Sequence, residues 1–488
     1  MRRNNMLNNF IQQNMALHLD SKITQIGNTE YSYTEYSYSV FLKAAQKNAQ
    51  LLKEKIPSKR KCAIICGNQF YTALSILSAW QAELVSIPIS MNYGQQRCYD
   101  ILDVTKPDLI IIDDHLACKI EGYPTYNISQ SKFLTAYKDC GADQFLSDAA
   151  LIMCTSGTTG KPKGIVLTET GIIENTKAIK QYFLIDHDDR ILISRPLCHS
   201  AVLTGELLIS LINGLDIFFC DNIYSPQRII ENCKKHSITV TCGTPTLFRH
   251  VVMLLKSKND VLNLNTIVLS GEQLTLQLAR TIRNCFIGVN IYHVYGLTEA
   301  SPRVSYLPPK LFDLFPNSVG FPLSNAEIKI VDSDGFSISA SNHGNIIIKS
   351  TSLMKGYYNN RELTDNIIRD GWLWTGDIGY IDEDKKLYIL SRADDLIIKA
   401  GMNIYPSEIE NIVNRSEEIS ECIAYGYWVN ESKSVAIDVV LSTKYKNMTI
   451  KDLKLLLSSL LPQYLVPTKV RIVDSFPQTV SGKTIRSK

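Results

Sequence analysis

The chain has 488 residues, of which 45% are hydrophobic and 20% charged, the composition of a globular protein with room for several domains. Its formal net charge of +3 is too small to indicate nucleic acid or an anionic membrane as a partner. No long apolar run exists, at the N-terminus or elsewhere, so neither a secretory signal nor a membrane span is expected. Twelve cysteines without zinc spacing indicate reduced thiols in a cytoplasmic protein.

Short apolar strands alternate with helical stretches up to about residue 317. This alternation is typical of parallel β-α-β construction. Strands are predicted at 61–66, 84–89, 108–112, 149–154, 190–193, 217–219, 238–242 and 266–269, and a helix at 70–82.

The pattern changes in the last third of the chain. Predicted strands at 326–331, 344–349 and 386–390 are separated by turns, which indicates a β-rich subdomain at about 317–392. The alternation then resumes, with helices at 406–413 and 450–460 and strands at 421–427 and 435–441. The sequence therefore predicts an α/β fold, with a large N-terminal domain of βαβ subdomains plus the β-rich subdomain over 1–392, and a small C-terminal α+β domain.

A glycine- and threonine-rich run, TSGTTGKPKG, directly follows the predicted strand 149–154. Its backbone amides are free to turn toward an anion, and its lysines are suited to the outer phosphates of ATP. The spacing GxxxxGK[ST] does not occur in it, which excludes a P-loop kinase or GTPase. The candidate phosphate-binding residues are Thr155, Ser156, Gly157, Thr158, Thr159, Gly160, Lys161 and Lys163.

This run matches the phosphate loop of the adenylate-forming superfamily at every position, and the resemblance continues in order down the chain. The superfamily includes acyl- and aryl-CoA synthetases, peptide-synthetase adenylation domains and firefly luciferase. The resemblance implies an acid–thiol ligase that uses ATP and Mg²⁺ to convert a carboxylic acid to acyl-AMP. The acyl group then passes to a thiol, either CoA or the phosphopantetheine of a separate carrier protein.

Two further segments resemble the family's adenine-binding motifs. In Ser270-Gly271-Glu272 the family places residues beside adenine and the acyl pocket, so Gly271 and Glu272 are expected there. In Tyr295-Gly296-Leu297-Thr298-Glu299 the resemblance implies that Tyr295 stacks on adenine, with Gly296 beside it.

The same motif and two later ones imply contacts to phosphate, metal and ribose. Thr298 is expected to hydrogen-bond the α-phosphate and Glu299 to hold Mg²⁺, which prefers oxygen ligands. Asp377, in a TGD motif, is expected to accept the ribose hydroxyls, as an acid does in other nucleotide sites. Arg392 is expected to add a ribose or phosphate contact.

The C-terminal motifs imply a mobile domain. The resemblance places a hinge at Asp394 and a transfer loop with Lys399 and Gly401, so that the small domain, 394–488, rotates between the two half-reactions. Lys483, in PQTVSGK, resembles the family's catalytic lysine, whose charge stabilises the transition state. The resemblance makes Lys483, Thr298, Glu299 and His199 the candidate catalytic residues.

The acyl pocket is less well defined by the sequence. Pro196-Leu197-Cys198-His199 resembles the segment in which a histidine gates the pocket of acyl- and aryl-CoA ligases. No aspartate lies within 194–199, which argues against an α-amino acid, whereas Glu206 leaves an amino or other polar substrate open. An uncharged carboxylic acid is the first expectation. The pocket residues implied are His199, Gly243, Thr244 and Gly271.

Several alternatives remain open from the sequence. One alternative is an amide synthetase, in which the acceptor of the acyl group is a free amine. A standalone amino-acid adenylation enzyme or a luciferase-type oxygenase would share the first step, formation of the acyl-AMP. No fused carrier domain is expected after residue 488. One departure from the family pattern is Gln81-Ala82-Glu83, which puts Glu83 where relatives often have glycine.

Overall fold

The structure is a computed structural model that describes residues 5–27, 32–115, 120, 122–137, 141, 143–156, 162–220, 225–399, 402–429, 432–478 and 484. Three sheets carry most of the chain up to residue 392, and smaller sheets follow. The α-helices span Met6–Met15, Tyr38–Lys55, Gln69–Gln81, Gln95–Thr105, Glu169–Tyr182, Ser200–Val202, Ile209–Asn213, Pro226–Lys235, Pro245–Lys258, Leu276–Cys285, Pro309–Phe312, Arg361–Ile367, Pro406–Val413 and Ile450–Leu460.

The first sheet has nine strands among the described residues, and its six central strands run parallel. In spatial order the strands are Phe321–Pro322, Arg303–Leu307, Asn290–Gly296, Thr266–Ser270, Val240–Gly243, Arg190–Ile193, Asp216–Cys220, Lys22–Ile26 and Tyr33–Ser37. The carboxyl ends of parallel strands meet at one edge, which is where open α/β sheets bind ligands.

The second sheet has eight strands in the described part of the chain, again with a parallel centre. Its order is Gly356–Tyr357, Pro162–Thr168, Ala149–Ser156, Val85–Pro88, Lys61–Ile65, Leu109–Ile112, Thr125–Asn127 and Lys132–Phe133. Strand Leu109–Ile112 is buried at every position, as expected where helices cover both faces of a sheet. Helix Gln69–Gln81 packs against strands of both large sheets, which explains why its sequence is apolar on nearly all sides.

The third sheet is antiparallel and comprises Ala326–Val331, Gly344–Ser350, Trp372–Ile381, Ile368–Arg369 and Leu387–Arg392. One face is solvated, so buried Ile328 and Ile330 alternate with exposed Glu327 and Lys329. The β-rich interpretation of this segment follows the same alternation in the sequence.

The chain after Arg392 has a core of its own. Strands Ile419–Val429, Ser432–Leu441 and Lys469–Ile472 form one sheet, and Ile397–Lys399 pairs with Met402–Ile404. Helices Pro406–Val413 and Ile450–Leu460 cover this core.

The predicted α/β fold is confirmed, and the errors lie mainly at the N-terminus. The strands Lys22–Ile26 and Tyr33–Ser37, at the edge of the first sheet, were not predicted from the sequence. Glu83 has φ of +61°, so the position that suits glycine does adopt the left-handed conformation. The ten cysteines that the structure describes are all free thiols. Among the described helices, none is both long and apolar enough to cross a membrane.

Candidate active site

A cavity of about 580 Å³ lies at the carboxyl ends of strands Thr266–Ser270 and Asn290–Gly296. Residues of the C-terminal segment, among them Pro406, Ser407 and Thr484, close its other side. The predicted site residues that line it are Thr155, His199, Gly271, Glu272, Tyr295, Gly296, Thr298, Asp377 and Arg392.

The glycine-rich run begins and ends in two paired strands beside this cavity. Thr155 pairs with Lys163 across the antiparallel ladder, and Thr155 lines the cavity. The Lys163 ammonium lies 5.6 Å from the centroid of the Tyr357 ring. The predicted phosphate-binding residues Gly157, Thr158, Thr159, Gly160 and Lys161 lie outside the described residues, and their role stays a prediction.

Tyr295, Asp377 and Arg392 form one hydrogen-bonded cluster in the cavity wall. The Tyr295 hydroxyl donates to Asp377 Oδ2 at 2.5 Å, and Arg392 Nη1 donates to Asp377 Oδ1 at 2.8 Å. Burial, with the Asp377 carboxylate beside it, raises the pKa of Tyr295 well above its usual value, so the phenol stays protonated and donates. The cluster thus fixes a carboxylate at the position predicted for ribose binding.

A side chain is disfavoured at two glycines of the cavity wall, at one by the backbone conformation and at the other by lack of space. Gly271 has φ of +90°, a conformation that L-residues with a side chain rarely adopt. A Cβ on Gly296 would lie 1.9 Å from the carbonyl oxygen of Pro302. Both positions therefore bring bare backbone to the cavity surface.

Thr298 and Glu299 follow in a single turn of 3₁₀ helix, Thr298–Ala300. Ser200 Oγ donates to Thr298 Oγ1 at 3.1 Å, and the Tyr357 hydroxyl donates to Glu299 Oε1 at 2.9 Å. This set of hydroxyl and carboxylate oxygens is the type of donor that Mg²⁺ prefers. Neither Ser200 nor Tyr357 was identified from the sequence, because each acts through a neighbour that lies far away in the chain.

Glu272 links the large part of the molecule to the end of the chain. Its Oε2 accepts the backbone N–H of Thr246 at 3.1 Å, and its Oε1 accepts the backbone N–H of Thr484 at 2.6 Å. The Thr246 and Thr484 hydroxyl oxygens are 3.1 Å apart. Lys483 itself lies outside the described residues, but its sequence neighbour Thr484 is held at the cavity by these bonds.

Other contacts support the same arrangement of the C-terminal segment. Arg249 forms an ion pair with Glu421 at 3.3 Å, and Ser407 Oγ donates to the Leu390 carbonyl oxygen at 2.5 Å. Asp394 lies in a 3₁₀ turn, Ala393–Asp395, directly after the last strand of the third sheet.

The structure describes only part of the predicted transfer loop, and there only the backbone. Lys399 pairs with Met402 in a two-stranded sheet, and Gly401 lies outside the described residues. The hinge and transfer roles of this segment remain predictions.

The acyl end of the cavity differs in part from the sequence expectation. His199 lines it, with its ring centroid 6.4 Å from that of Tyr93. Gly243 and Thr244 are buried but are not among its lining residues. Thr244 instead caps helix Pro245–Lys258 by accepting the Leu247 N–H at 3.1 Å.

Three arginines that the sequence analysis missed also line the cavity, Arg195, Arg249 and Arg303. Arg195 Nη2 donates to Glu206 Oε1 at 2.5 Å, and the side chain of Glu206 is fully buried. Glu206, which left an amino or other polar substrate open in the sequence analysis, does not line the cavity, and its carboxylate pairs with Arg195. Arg195 stands in the SRPLCH segment beside the motif that was recognised, but an isolated arginine in a sequence carries no sign of burial.

The fold and this cavity agree with one family of enzymes that sequence comparison also identifies. The family model described as AMP-binding enzyme matches residues 18–358, and that of the AMP-binding enzyme C-terminal domain matches residues 408–483. The chain therefore belongs to the AMP-binding enzyme family.

Two curated relatives illustrate what the chain is similar to. The long-chain-fatty-acid–CoA ligase of Haemophilus influenzae is 30% identical over 344 residues, which cover 70% of this chain and 61% of that protein. The 2-succinylbenzoate–CoA ligase of Bacillus subtilis is 30% identical over 340 residues, 70% of this chain and 68% of that protein. The chain thus spans less than two thirds of the first relative's length. Both relatives are CoA ligases by name, in agreement with the predicted class of AMP-forming acid–thiol ligase.

Solved structures establish the fold over almost the whole chain. O-succinylbenzoate CoA synthetase from Bacillus subtilis, in complex with ATP and magnesium ion, superposes with a TM-score of 0.82 and 24% identity over 98% of each chain. The amide bond synthetase McbA from Marinactinospora thermotolerans gives a TM-score of 0.84 and 20% identity, also over 98% of each chain. Since a thiol ligase and an amide synthetase are equally similar in fold, the fold does not distinguish the two acceptors.

Proposed function

We propose that the protein activates a carboxylic acid with Mg-ATP, forming acyl-AMP and pyrophosphate, and then transfers the acyl group to the thiol of CoA. The observation that carries the proposal is that residues predicted from separate motifs line one cavity. Thr155, Gly271, Tyr295, Asp377 and Arg392 come from four separate motifs and an isolated arginine, and all five border the same space. The CoA ligase names of the relatives support CoA as the acceptor.

The first half-reaction needs no nucleophile from the protein. A carboxylate oxygen of the substrate attacks the α-phosphorus of ATP, and the bond from that phosphorus to the bridging oxygen breaks as pyrophosphate leaves. Two of the thiols that line the cavity do not compete, because burial raises the pKa of Cys154 to about 12 and that of Cys198 to about 11. In the second half-reaction the CoA sulfur attacks the acyl carbon, the carbon–oxygen bond to AMP breaks, and the thiol proton is released to solvent.

The protein's contribution is to position the reactants and to neutralise charge. Asp377, held by Tyr295 and Arg392, would accept the ribose hydroxyls. Glu299, oriented by Tyr357, would hold Mg²⁺, which would supply positive charge to the phosphates. The amides of the glycine-rich run and the Lys483 ammonium would bind the phosphates.

The test is pyrophosphate release with Mg-ATP against a panel of fatty, aryl and dicarboxylic acids, each with and without CoA. Release that CoA stimulates for one acid class is expected. Pyrophosphate exchange that ignores CoA but responds to an amine or a carrier protein would assign the acceptor differently. Failure of every acid to drive release or exchange would contradict the proposal.

Variants at Lys483 and Gly401 separate the half-reactions. Lys483→Ala should lower pyrophosphate release at least about 100-fold but spare thioester formation from supplied acyl-AMP. Gly401→Leu should have the opposite effect. Lys446→Ala, at an exposed lysine of the same segment, is the matched control. Equal loss of both half-reactions in either variant would refute the mechanism in which the C-terminal domain rotates between them.

A further inference from the structure

The inner wall of the cavity holds two buried arginines and one buried carboxylate. Arg195 and Arg303 both line the cavity, and their exposed fractions are 7% and 3%. Glu206, with an exposed fraction of 0%, lies behind them and pairs with Arg195. The wall therefore carries two positive charges and one negative charge.

The hydrogen bonding of this cluster is incomplete. Arg303 Nη1 donates to the Tyr182 hydroxyl at 2.8 Å, and Arg195 Nη1 donates to Ser270 Oγ at 3.3 Å. Within the described part of the chain, Arg303 Nε and Nη2, Arg195 Nε and Glu206 Oε2 have no hydrogen-bond partner, although these atoms are buried. Buried guanidinium donors without partners are costly, so such atoms indicate a group that binds there.

Glu206 balances one of the two arginines, and the other neighbouring groups do not supply a second negative charge. Burial raises the pKa of Tyr182, so the hydroxyl beside Arg303 stays neutral. Burial also raises the pKa of Cys242, which lies near both arginines, so its thiol stays neutral. Four of the acids that line the cavity elsewhere are already engaged with other groups: Glu272 by backbone amides, Asp377 by Tyr295 and Arg392, Glu410 by the Ala424 N–H, and Glu421 by Arg249.

The backbone at this point is also irregular. The turn Leu203–Leu208 is π-helical, and it carries Gly205 and Glu206. A Cβ on Gly205 would lie 2.8 Å from Arg303 Nη2, so the glycine leaves the space in which the guanidinium lies. Single π-helical turns inside helices are often found at functional sites.

We infer that the protein's substrate is an acid with a second anionic group, most simply a dicarboxylate, and that Arg303 and Arg195 bind its distal carboxylate. The inference rests on the proposed function and replaces the expected uncharged acid. Arg303 Nε and Nη2 are the pair of donors that matches a carboxylate in bidentate geometry. Gly205 lies against this edge, so the guanidinium must turn toward the cavity to use both donors. The ligand's second charge balances the excess positive charge of the wall, while its first carboxylate is activated at the nucleotide end of the cavity.

The test compares isosteric pairs of acids by calorimetry. The probes are α,ω-dicarboxylates of increasing length, terephthalate and 2-succinylbenzoate, each paired with the analogue in which one carboxylate is a carboxamide. Titrations contain Mg²⁺ and α,β-methylene-ATP, so that binding is measured without chemistry. At least one dicarboxylate should bind at least tenfold more tightly than both of its monoamides.

Variants assign the effect to the arginines. Arg303→Met should remove at least tenfold of the dicarboxylate affinity and leave that of the monoamide unchanged. Arg303→Lys keeps the charge but loses the paired donors and should give an intermediate affinity. Glu206→Gln removes the opposing charge and should strengthen dicarboxylate binding, a gain that misfolding would not produce. Arg280→Met, the matched control, makes the same substitution at an exposed arginine of helix Leu276–Cys285 and should change the affinity less than threefold.

The outcomes separate this inference from the proposed function. If no dicarboxylate is preferred over its monoamides, or if the preference survives Arg303→Met, the inference is wrong, and a water molecule between Arg303 and Glu206 becomes the simpler explanation. Pyrophosphate release with monocarboxylic acids alone would leave the proposed function standing and overturn the inference. Selective dicarboxylate binding without pyrophosphate release from any acid would support the inference and refute the proposed function.

Discussion

Replacing Glu272 by glutamine tests whether the contact to Thr484 positions the C-terminal segment for the first half-reaction. The carboxylate accepts two backbone N–H groups, one from Thr246 within the large sheet region and one from Thr484 near the end of the chain. Glutamine keeps a single acceptor oxygen, and its NH₂ group would face the other N–H. One of the two hydrogen bonds is therefore lost, and a donor faces a donor.

The size of the effect follows from the charge on the acceptor. A hydrogen bond to a charged group contributes about 1.5–3 kcal/mol, and about 1.4 kcal/mol corresponds to a tenfold change in an equilibrium constant. Glu272→Gln should therefore reduce the population of the docked segment by roughly 10- to 100-fold. Pyrophosphate release should fall by up to the same factor, because Lys483 precedes Thr484 in the chain.

The assay measures both half-reactions on the same preparation. Single-turnover pyrophosphate release reports the first, and thioester formation from supplied acyl-AMP and CoA reports the second. Glu327→Gln, at an exposed glutamate of the third sheet, is the matched control and should leave both unchanged. An equal loss in both half-reactions, or no loss in the first, would refute the idea that Glu272 acts by docking Thr484.

Three further predictions follow from local contacts. Tyr357→Phe removes the donor to Glu299 and should raise the Mg²⁺ concentration needed for half-maximal pyrophosphate release several-fold, with the KM for the acid unchanged; an unchanged Mg²⁺ dependence would contradict this role. Burial lowers the pKa of His293 from 6.5 to about 4, so the neutral ring favours the folded state fully above pH 6.5, and up to about 3 kcal/mol of stability is lost as the pH falls toward 4. Chemical denaturation of His293→Asn, which keeps a donor to the Ser318 carbonyl oxygen, should show a correspondingly smaller loss over this range; an identical pH profile would contradict the assignment. Glu83→Gly should raise the free energy of unfolding by about 0.5–1 kcal/mol, because relief of the left-handed conformation outweighs the added chain entropy, whereas Glu83→Gln, which keeps the conformation, should not.

The residues predicted to bind the nucleotide come together in one cavity, and the sequence could single them out because they lie in contiguous motifs. Gly271, Tyr295 and Asp377 each stand within a short run whose order along the chain is informative, and all three line the cavity. The strands were predictable for a similar reason, since a buried parallel strand is a continuous apolar run.

The acyl end was not predictable because its function depends on contacts between distant positions. Arg303 follows the nucleotide motif by four residues, yet its neighbours Tyr182 and Gly205 lie far away in the chain. Arginines in a sequence are usually exposed, and only the packing shows that this one is buried with donors unpaired.

The contrast between the two ends of the cavity bears on substrate selection. At the nucleotide end Asp377 already has protein partners on both oxygens, so binding there exchanges one set of hydrogen bonds for another. At the arginine wall Arg303 Nε and Nη2 have no hydrogen-bond partner among the described residues, so a ligand without an acceptor leaves them desolvated. Sites that hydrogen-bond a substrate group reject the analogue without it by about 10⁴- to 10⁵-fold, whereas an extra methylene in an apolar pocket changes selectivity only about 10- to 200-fold. The distal group of the acid, more than its chain length, should therefore decide which substrates the enzyme accepts.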